Sequence, residues 1–319
     1  MNGKVTIVGS YNVGFVVYTD RLPVEGETLP GHGFRFEHGG KGSNQAIQAA
    51  RLGCATSIVA RVGRDIFGEK ALQKWKAERI DTSHVVSDDR AATGAGLVIV
   101  VPNGKNMIVV DLGANMRLSI DDVAAASDKI HDSDVVLTQL EIPFETALYA
   151  LRKSDGTRIL NPAPAREITP ETLKDVDIIT PNEVEVLTMA GCHHSRKADI
   201  TSIAEKYARY VGCVVVTMGE KGALVVSQNM VKHVNTPQID AVDSTGAGDA
   251  FNGALASAIA NGYDLLEAVE YACCAGAFLA ARLKGGELVE SLANTQELQK
   301  FISQHQPTLK HVGKRADNW

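Results

Sequence analysis

Short β-branched runs that end in glycine or a polar residue recur along this chain, and stretches with helical spacing lie between them. Val5-Thr-Ile-Val8 runs into Gly9-Ser10, and Ser57-Ile-Val-Ala60, Asp134-Val-Val-Leu-Thr138, Arg158-Ile-Leu-Asn161, Asp177-Ile-Ile-Thr180, Val214-Val-Val-Thr217 and Ala223-Leu-Val-Val226 follow. Helical stretches read at 68–79, 143–152, up to Ala190 and 199–210, and helices over 264–282 and 295–304 complete the pattern. Continuous apolar runs suit strands buried on both faces. Strands alternating with helices predict an α/β fold, a doubly wound, mainly parallel sheet flanked by helices.

Two segments depart from this pattern. Phe15-Val-Val-Tyr18, then Pro23, Gly26, Pro30, Gly31 and Gly33, then Phe34-Arg-Phe36 predict short exposed strands and turns. Gly96-Leu-Val-Ile-Val-Val101 and Asn106-Met-Ile-Val-Val110 flank Pro102-Asn-Gly-Lys105, a strong hairpin signal. These segments, near 11–38 and 93–113, predict a small β-strand lid on one α/β domain spanning 1–306. The polar, basic-leaning tail 307–319 is expected to be loosely ordered. The lid strands are more apolar than an exposed two-faced sheet tolerates, which predicts pairing with a second copy, a homodimer.

Composition narrows the function class. A hydrophobic fraction of 45% with 22% charged residues belongs to an ordinary globular protein. The net charge of −6, without a basic stripe, argues against a nucleic-acid partner. Five scattered cysteines without a C-x-x-C pair argue against a disulfide framework or a zinc site and fit a reducing cytoplasm. The first apolar run is too short for a signal peptide, and no run is long enough to cross a membrane. His193-His194 lacks partners at metal-ligand spacing, and Cys273-Cys274 read as small core residues.

The chemistry concentrates in Asp243-Ser-Thr-Gly-Ala-Gly-Asp249 and the helix after it. Gly246 and Gly248 permit a sharp turn and close approach of backbone to ligand, and a helix from about Ala247 would carry Phe251, Leu255 and Ile259 on one face until Gly262 stops it. Its free N-terminal amides suit a phosphate or a developing negative charge. Asp249 could merely cap the helix, but two glycines before it suit a base that must reach a hydroxyl beside a phosphate cradle. The turn resembles the nucleotide-side signature of the ribokinase family of carbohydrate kinases, in which this aspartate is the catalytic base.

Gly39-Gly-Lys41-Gly-Ser-Asn44-Gln-Ala lacks P-loop spacing but resembles the family's sugar-side signature. The resemblance implies that Gly40, Lys41 and Asn44 hold sugar hydroxyls, together with Asn12 and the strand-end Glu141. Asn161-Pro-Ala-Pro-Ala165 also matches the family. Thr180 with Glu183 reads as a capping box with Pro181 at the first helical position, while Asn182 and Glu185 share a helical face. By resemblance, Asn182 and Glu185 order magnesium, often through water, and Thr217, Gly219 and Gly222 form the turn beneath ATP. The Gly246-Ala247-Gly248 amides would hold the transferring phosphoryl group. A potassium site would use carbonyls of Asp243 to Thr245 and of Ala280 and Gly285. One departure stands out: the family places an aspartate two residues after Asn12, and this chain has Gly14.

These features imply an ATP-dependent, magnesium-requiring and potassium-assisted sugar kinase acting on the primary hydroxyl of a pentose or related furanose, ribose first. A nucleoside or ketohexose kinase is the alternative enzyme, and a catalytically silent sugar sensor the alternative of another class. A dinucleotide-binding oxidoreductase is disfavoured because Gly9-Ser-Tyr-Asn-Val-Gly14 lacks Gly-x-Gly-x-x-Gly.

Overall fold

The computed structural model describes residues 2–102, 106–192, 199–282 and 287–305. The tail, His193-His194, Gly285 and the tip of the 102–105 turn lie outside these residues. Thirteen strands appear among them: β1 (Lys4–Val8), β2 (Asn12–Tyr18), β3 (His32–Gly39), β4 (Ala55–Gly63), β5 (Asp81–Asp88), β6 (Gly94–Val100), β7 (Asn106–Asp111), β8 (Val135–Thr138), β9 (Thr157–Leu160), β10 (Ile178–Ile179), β11 (Cys213–Thr217), β12 (Ala223–Ser227) and β13 (Met230–Val234).

Nine of them make one sheet in the order β13-β12-β11-β10-β9-β8-β1-β4-β5. Pairing is parallel from β11 through β5, as expected. The link from Thr217 to Ala223 is too short for a crossover, so β12 folds back antiparallel on β11, and β13 on β12. The strand β5, Asp-Thr-Ser-His-Val-Val-Ser-Asp, has a mixed polar pattern that gave no strand signal in isolation.

Side-chain alternation along the sheet builds two cores, one on each face. Val5, Ile7, Ile58, Ala60, Leu137, Ile159 and Val215 meet the helices Lys41–Arg51, Ile66–Ala77, Ala247–Ala260, Leu265–Arg282 and Thr295–His305. Val8, Val59, Val136, Leu160, Val214 and Val216 meet Phe144–Arg152, Glu183–Met189 and Ile200–Ala208 on the other face. The doubly wound expectation holds. Cys273 and Cys274 are buried in the first core.

The remaining four strands form a second sheet in the order β3-β2-β6-β7, including the β6–β7 hairpin. Phe15 anchors it by meeting Phe67 edge to face at 5.1 Å. Leu97 and Val109, directly opposed across β6 and β7, are 57% and 62% exposed.

The helix Ala247–Ala260 begins where expected, and Gly262 beyond it takes φ +84°. It has no single apolar face: every residue from Asp249 to Ala258 is buried. Small residues let other elements close in. A Cβ on Gly253 would lie 2.6 Å from the Gln45 carbonyl oxygen on the neighbouring helix.

Candidate active site

The strand β1 has β8 on one side and β4 on the other, so the chain order reverses there. In such sheets ligands bind in the crevice outside the carboxyl ends of the strands at the reversal. Ser10 follows β1, Gln139 and Glu141 follow β8, Asn161 follows β9 and Thr180 follows β10. The helices beginning at Lys41 and Ala247 aim their N-termini at the same crevice.

Asp249 is buried in the first turn of its helix, 7% exposed. Its Oδ2 accepts from Asn44 Nδ2 at 2.9 Å and its Oδ1 from Gln45 Nε2 at 3.0 Å. Gln45 is fixed in turn, with Nε2 also donating to Asn161 Oδ1 at 3.1 Å and Oε1 accepting from Gln139 Nε2 at 2.7 Å. On the next turn Asn252 Nδ2 donates to the Gly248 carbonyl, and its Oδ1 accepts from Thr180 Oγ1. Neutral amides thus orient the carboxylate without quenching it as an arginine would, and a carboxylate has about four acceptor sites, so capacity remains for a hydroxyl proton.

The sugar-side turn closes against this group. Gly40 has φ +90°, and a Cβ there would sit 2.6 Å from the Asn12 nitrogen, so only glycine fits. The Lys41 N–H donates to Glu141 Oε2 at 2.8 Å, and Ser10 Oγ donates to the same oxygen at 2.5 Å. Burial works against the Lys41 charge, yet Asp249, Glu141 and Glu185 outweigh it and hold the ammonium pKa above the usual lysine value. Burial pushes the Glu141 carboxyl up, against the opposing pull of Ser10 and Lys41. Asn12 Oδ1 accepts from Asn115 Nδ2 at 2.8 Å, while Asn115 Oδ1 accepts from the Tyr11 N–H. Asn12, Gly40, Lys41, Asn44, Glu141 and Asp249 therefore form one connected group. Asn44 Oδ1 is buried with no donor among the described residues, which fits a site made to receive a hydroxyl.

On the other side of Asp249, Gly246 caps the helix at φ +74° with Leu288 packed against it. The Ala247 N–H is given to the Ser244 carbonyl at 3.1 Å, and the first helical bond runs from Ala250 to Gly246 at 2.9 Å. Of the three expected amides, those of Gly246, Ala247 and Gly248, Ala247's is therefore occupied within the turn; Gly248's stays open, and Asp249 adds a further open one. Gly248 is exposed, and a Cβ there would meet nothing within 4 Å.

The helix Glu183–Met189 corrects the expected cap. Asn182, not Thr180, is the N-cap: its side chain accepts from the Glu185 N–H at 2.8 Å, and Glu185 Oε2 accepts from the Asn182 N–H at 2.8 Å. Thr180 stays with the sheet, its N–H bonded to the Leu160 carbonyl. The proposed magnesium pair is thus a capping box, with Oε1 of Glu185 outside it. Burial raises the Glu185 carboxyl pKa. No three His, Cys, Asp or Glu cluster as a metal cage among the described residues. One carboxylate beside nucleotide phosphates is nevertheless a donor set that suits magnesium.

Thr217 pairs with Asn182 in an isolated parallel bridge, which sets it beside this cap. Gly219 and Gly222 follow with φ +56° and +91°, and an open cleft next to them is lined by Glu220, Lys221, His233, Asn235, Thr236 and Gln238. The Ala280 carbonyl accepts from the Val242 and Asp243 amides at 2.9 and 3.3 Å, and Asp243 Oδ1 accepts from the Thr245 N–H. Asp243, Thr245 and Ala280 therefore meet. Ser10, Gln45, Asn115, Gln139 and Asn252 were missed as individual site residues, although Gln45 lies inside the matched signature.

The family model for "pfkB family carbohydrate kinase" matches residues 2–292. The chain is similar to a ribokinase of Staphylococcus aureus, 34% identical over 85% of this chain and 91% of that one. It is also similar to a deoxyribokinase of Salmonella typhi, 32% identical over 94% and 98%. Among solved structures it resembles an Arabidopsis thaliana ribokinase complexed with ribose and ATP, with a TM-score of 0.83, 28% identity and coverage of 95% and 99%.

Proposed function

The chain belongs to the pfkB family of carbohydrate kinases, and we propose that it transfers the γ-phosphoryl group of ATP to the primary hydroxyl of a pentose or related furanose, ribose first. The observation that carries this reading is Asp249, buried, held by two neutral amides and set beside open helix N-terminal amides. The sugar oxygen attacks the γ-phosphorus as its proton passes to Asp249, and the bond to the ADP oxygen breaks. The Gly248 and Asp249 amides would face the negative charge that builds on the phosphoryl oxygens. Magnesium, reached through water from Glu185, would neutralise nucleotide oxygens; Asn182 positions that carboxylate. Thr217, Gly219 and Gly222 would line the nucleotide, and Asn12, Gly40, Lys41, Asn44 and Glu141 the sugar.

Potassium would sit near Asp243, Thr245 and Ala280, whose contacts already draw these segments together. The four-stranded sheet would be the lid of a single domain and would pair with a second copy through its exposed apolar side chains. The ribokinase solved with ribose and ATP supports ribose. A larger substrate, such as a nucleoside or ketohexose, gains support from Gly14, where a Cβ would find nothing nearer than 3.8 Å. A coupled ADP-release assay with a panel of pentoses, ketohexoses and nucleosides tests the reading; ATP turnover with none of them overturns it.

A further inference from the structure

The segment after residue 286 touches two parts of the site at once and is anchored behind it. Glu287 Oε1 accepts the backbone N–H of His38 at 3.0 Å, on β3 just before the Gly39-Gly40-Lys41 turn. The next residue, Leu288, is packed against Gly246, so closely that a Cβ at 246 would be 2.3 Å from Leu288 Cδ1. Arg51, at the end of the helix begun by Lys41, donates to the Val289 and Leu292 carbonyls at 2.7 and 2.9 Å. Lys74 adds an ion pair to Glu290. The segment is thus pinned to the core at 289–292, while its leading edge bears on the sugar-side sheet through one residue and on the phosphate-side turn through the next.

His38 has a second tether on the same strand, its Nδ1 lying 2.9 Å from the buried Tyr11 hydroxyl. An edge strand leaves outward backbone N–H groups unpaired by the sheet, and here one of them is met by a half-buried carboxylate 249 positions away. We propose that Glu287 is a positioning residue that couples the sugar site to the nucleotide site. Sugar bound beneath the four-stranded sheet fixes β3, β3 fixes Glu287, and Leu288 then holds Gly246 and the open amides in the geometry that receives the γ-phosphate. The inference rests on the kinase reading above.

The test compares wild type, Glu287→Gln, Glu287→Ala and, as a control for the segment's anchoring, Lys74→Met. The affinity for a non-hydrolysable ATP analogue is measured by calorimetry with and without ribose, or the best sugar of the panel, and kcat and KM are measured alongside. In wild type the sugar should tighten the analogue by about 5-fold or more, a typical coupling between sites. Glu287→Ala should reduce that factor below about 2-fold and lower kcat with less effect on the KM for sugar. Glu287→Gln, which keeps an acceptor oxygen, should restore most of the coupling, and Lys74→Met should retain it. An uncoupled wild type, full coupling in Glu287→Ala, or equal loss in Lys74→Met overturns the inference. A wild type that phosphorylates no sugar would instead overturn the kinase reading.

Discussion

Asn44 and Asp249 stand 205 positions apart in the chain and are joined by a 2.9 Å hydrogen bond from Nδ2 to Oδ2. With Gln45 on the other oxygen, the helix Lys41–Arg51 thereby orients the carboxylate proposed as the base. Asp249→Asn should keep the fold and much of the substrate affinity while lowering kcat by ~10²–10⁴, the usual worth of a positioned base. Steady-state kinetics with thermal melting checks both halves, and near-normal turnover would remove Asp249 from the mechanism.

The two glycines of the turn should respond differently. Gly246→Ala places a side chain at positive φ and against Leu288, and should lower Tm by ~4 °C or more. Gly248→Ala enters open space at ordinary φ and should leave Tm nearly unchanged while raising the KM for ATP, because the new methyl stands in front of the free amides. Equal melting of the two variants would contradict this account.

The half-buried Glu141 carboxyl gives a pH signature. Its raised pKa means that the folded chain keeps a proton which the unfolded chain releases near pH 4.5. The stability it contributes is therefore present at low pH and declines as pH rises through the raised value. Glu141→Gln removes this titration, whereas Glu185, shifted in the same direction, is common to both proteins. Wild-type stability relative to Glu141→Gln should fall as pH rises above the unfolded carboxyl value of 4.5 in denaturant titrations, and a flat or rising difference would sink the assignment.

Gly14 separates two pockets. If the site has simply lost an acceptor, Gly14→Asp should improve kcat/KM for ribose by ~10-fold, since one charge-assisted bond recovers ~1.4 kcal/mol. If part of another substrate fills that space, the new carboxylate is desolvated against it and the best panel substrate suffers. Unchanged kcat/KM for both substrates would show that residue 14 does not line the pocket.

The exposed Leu97–Val109 pair bears on assembly. Light scattering should find a dimer at micromolar concentration, and Leu97→Lys with Val109→Lys should give a folded monomer. A monomeric wild type would end the proposal of pairing through this sheet.

Much of this was legible in the sequence because its determinants are local. Glycine turns, the hairpin runs and the strand–helix alternation each need only a few neighbouring residues. The cap before Glu183 was misassigned because Thr180–Glu183 and Asn182–Glu185 share the same spacing, and only the sheet decides between them. Thr180 is held by Leu160 and Asn252, so the helix cannot begin before Asn182. Gln45, Asn115 and Glu287 act on partners 204, 104 and 249 positions away, and no periodicity carries that information. The strand β5 was silent because polar residues interrupt it, and its place comes from pairing with β4.

Gly253 sets the gap between the helix that carries Asp249 and the helix that carries Asn44 and Gln45, with the Gln45 carbonyl pressed into the space a methyl would need. It works as a shim set to zero thickness. Any added thickness would tilt one helix against the other and misalign a carboxylate from two amides, although Gly253 itself is buried one helical turn away from that carboxylate. The alignment of the proposed base is therefore machined into a joint one helical turn behind it, where damage would register as slow turnover before it registered as weak binding.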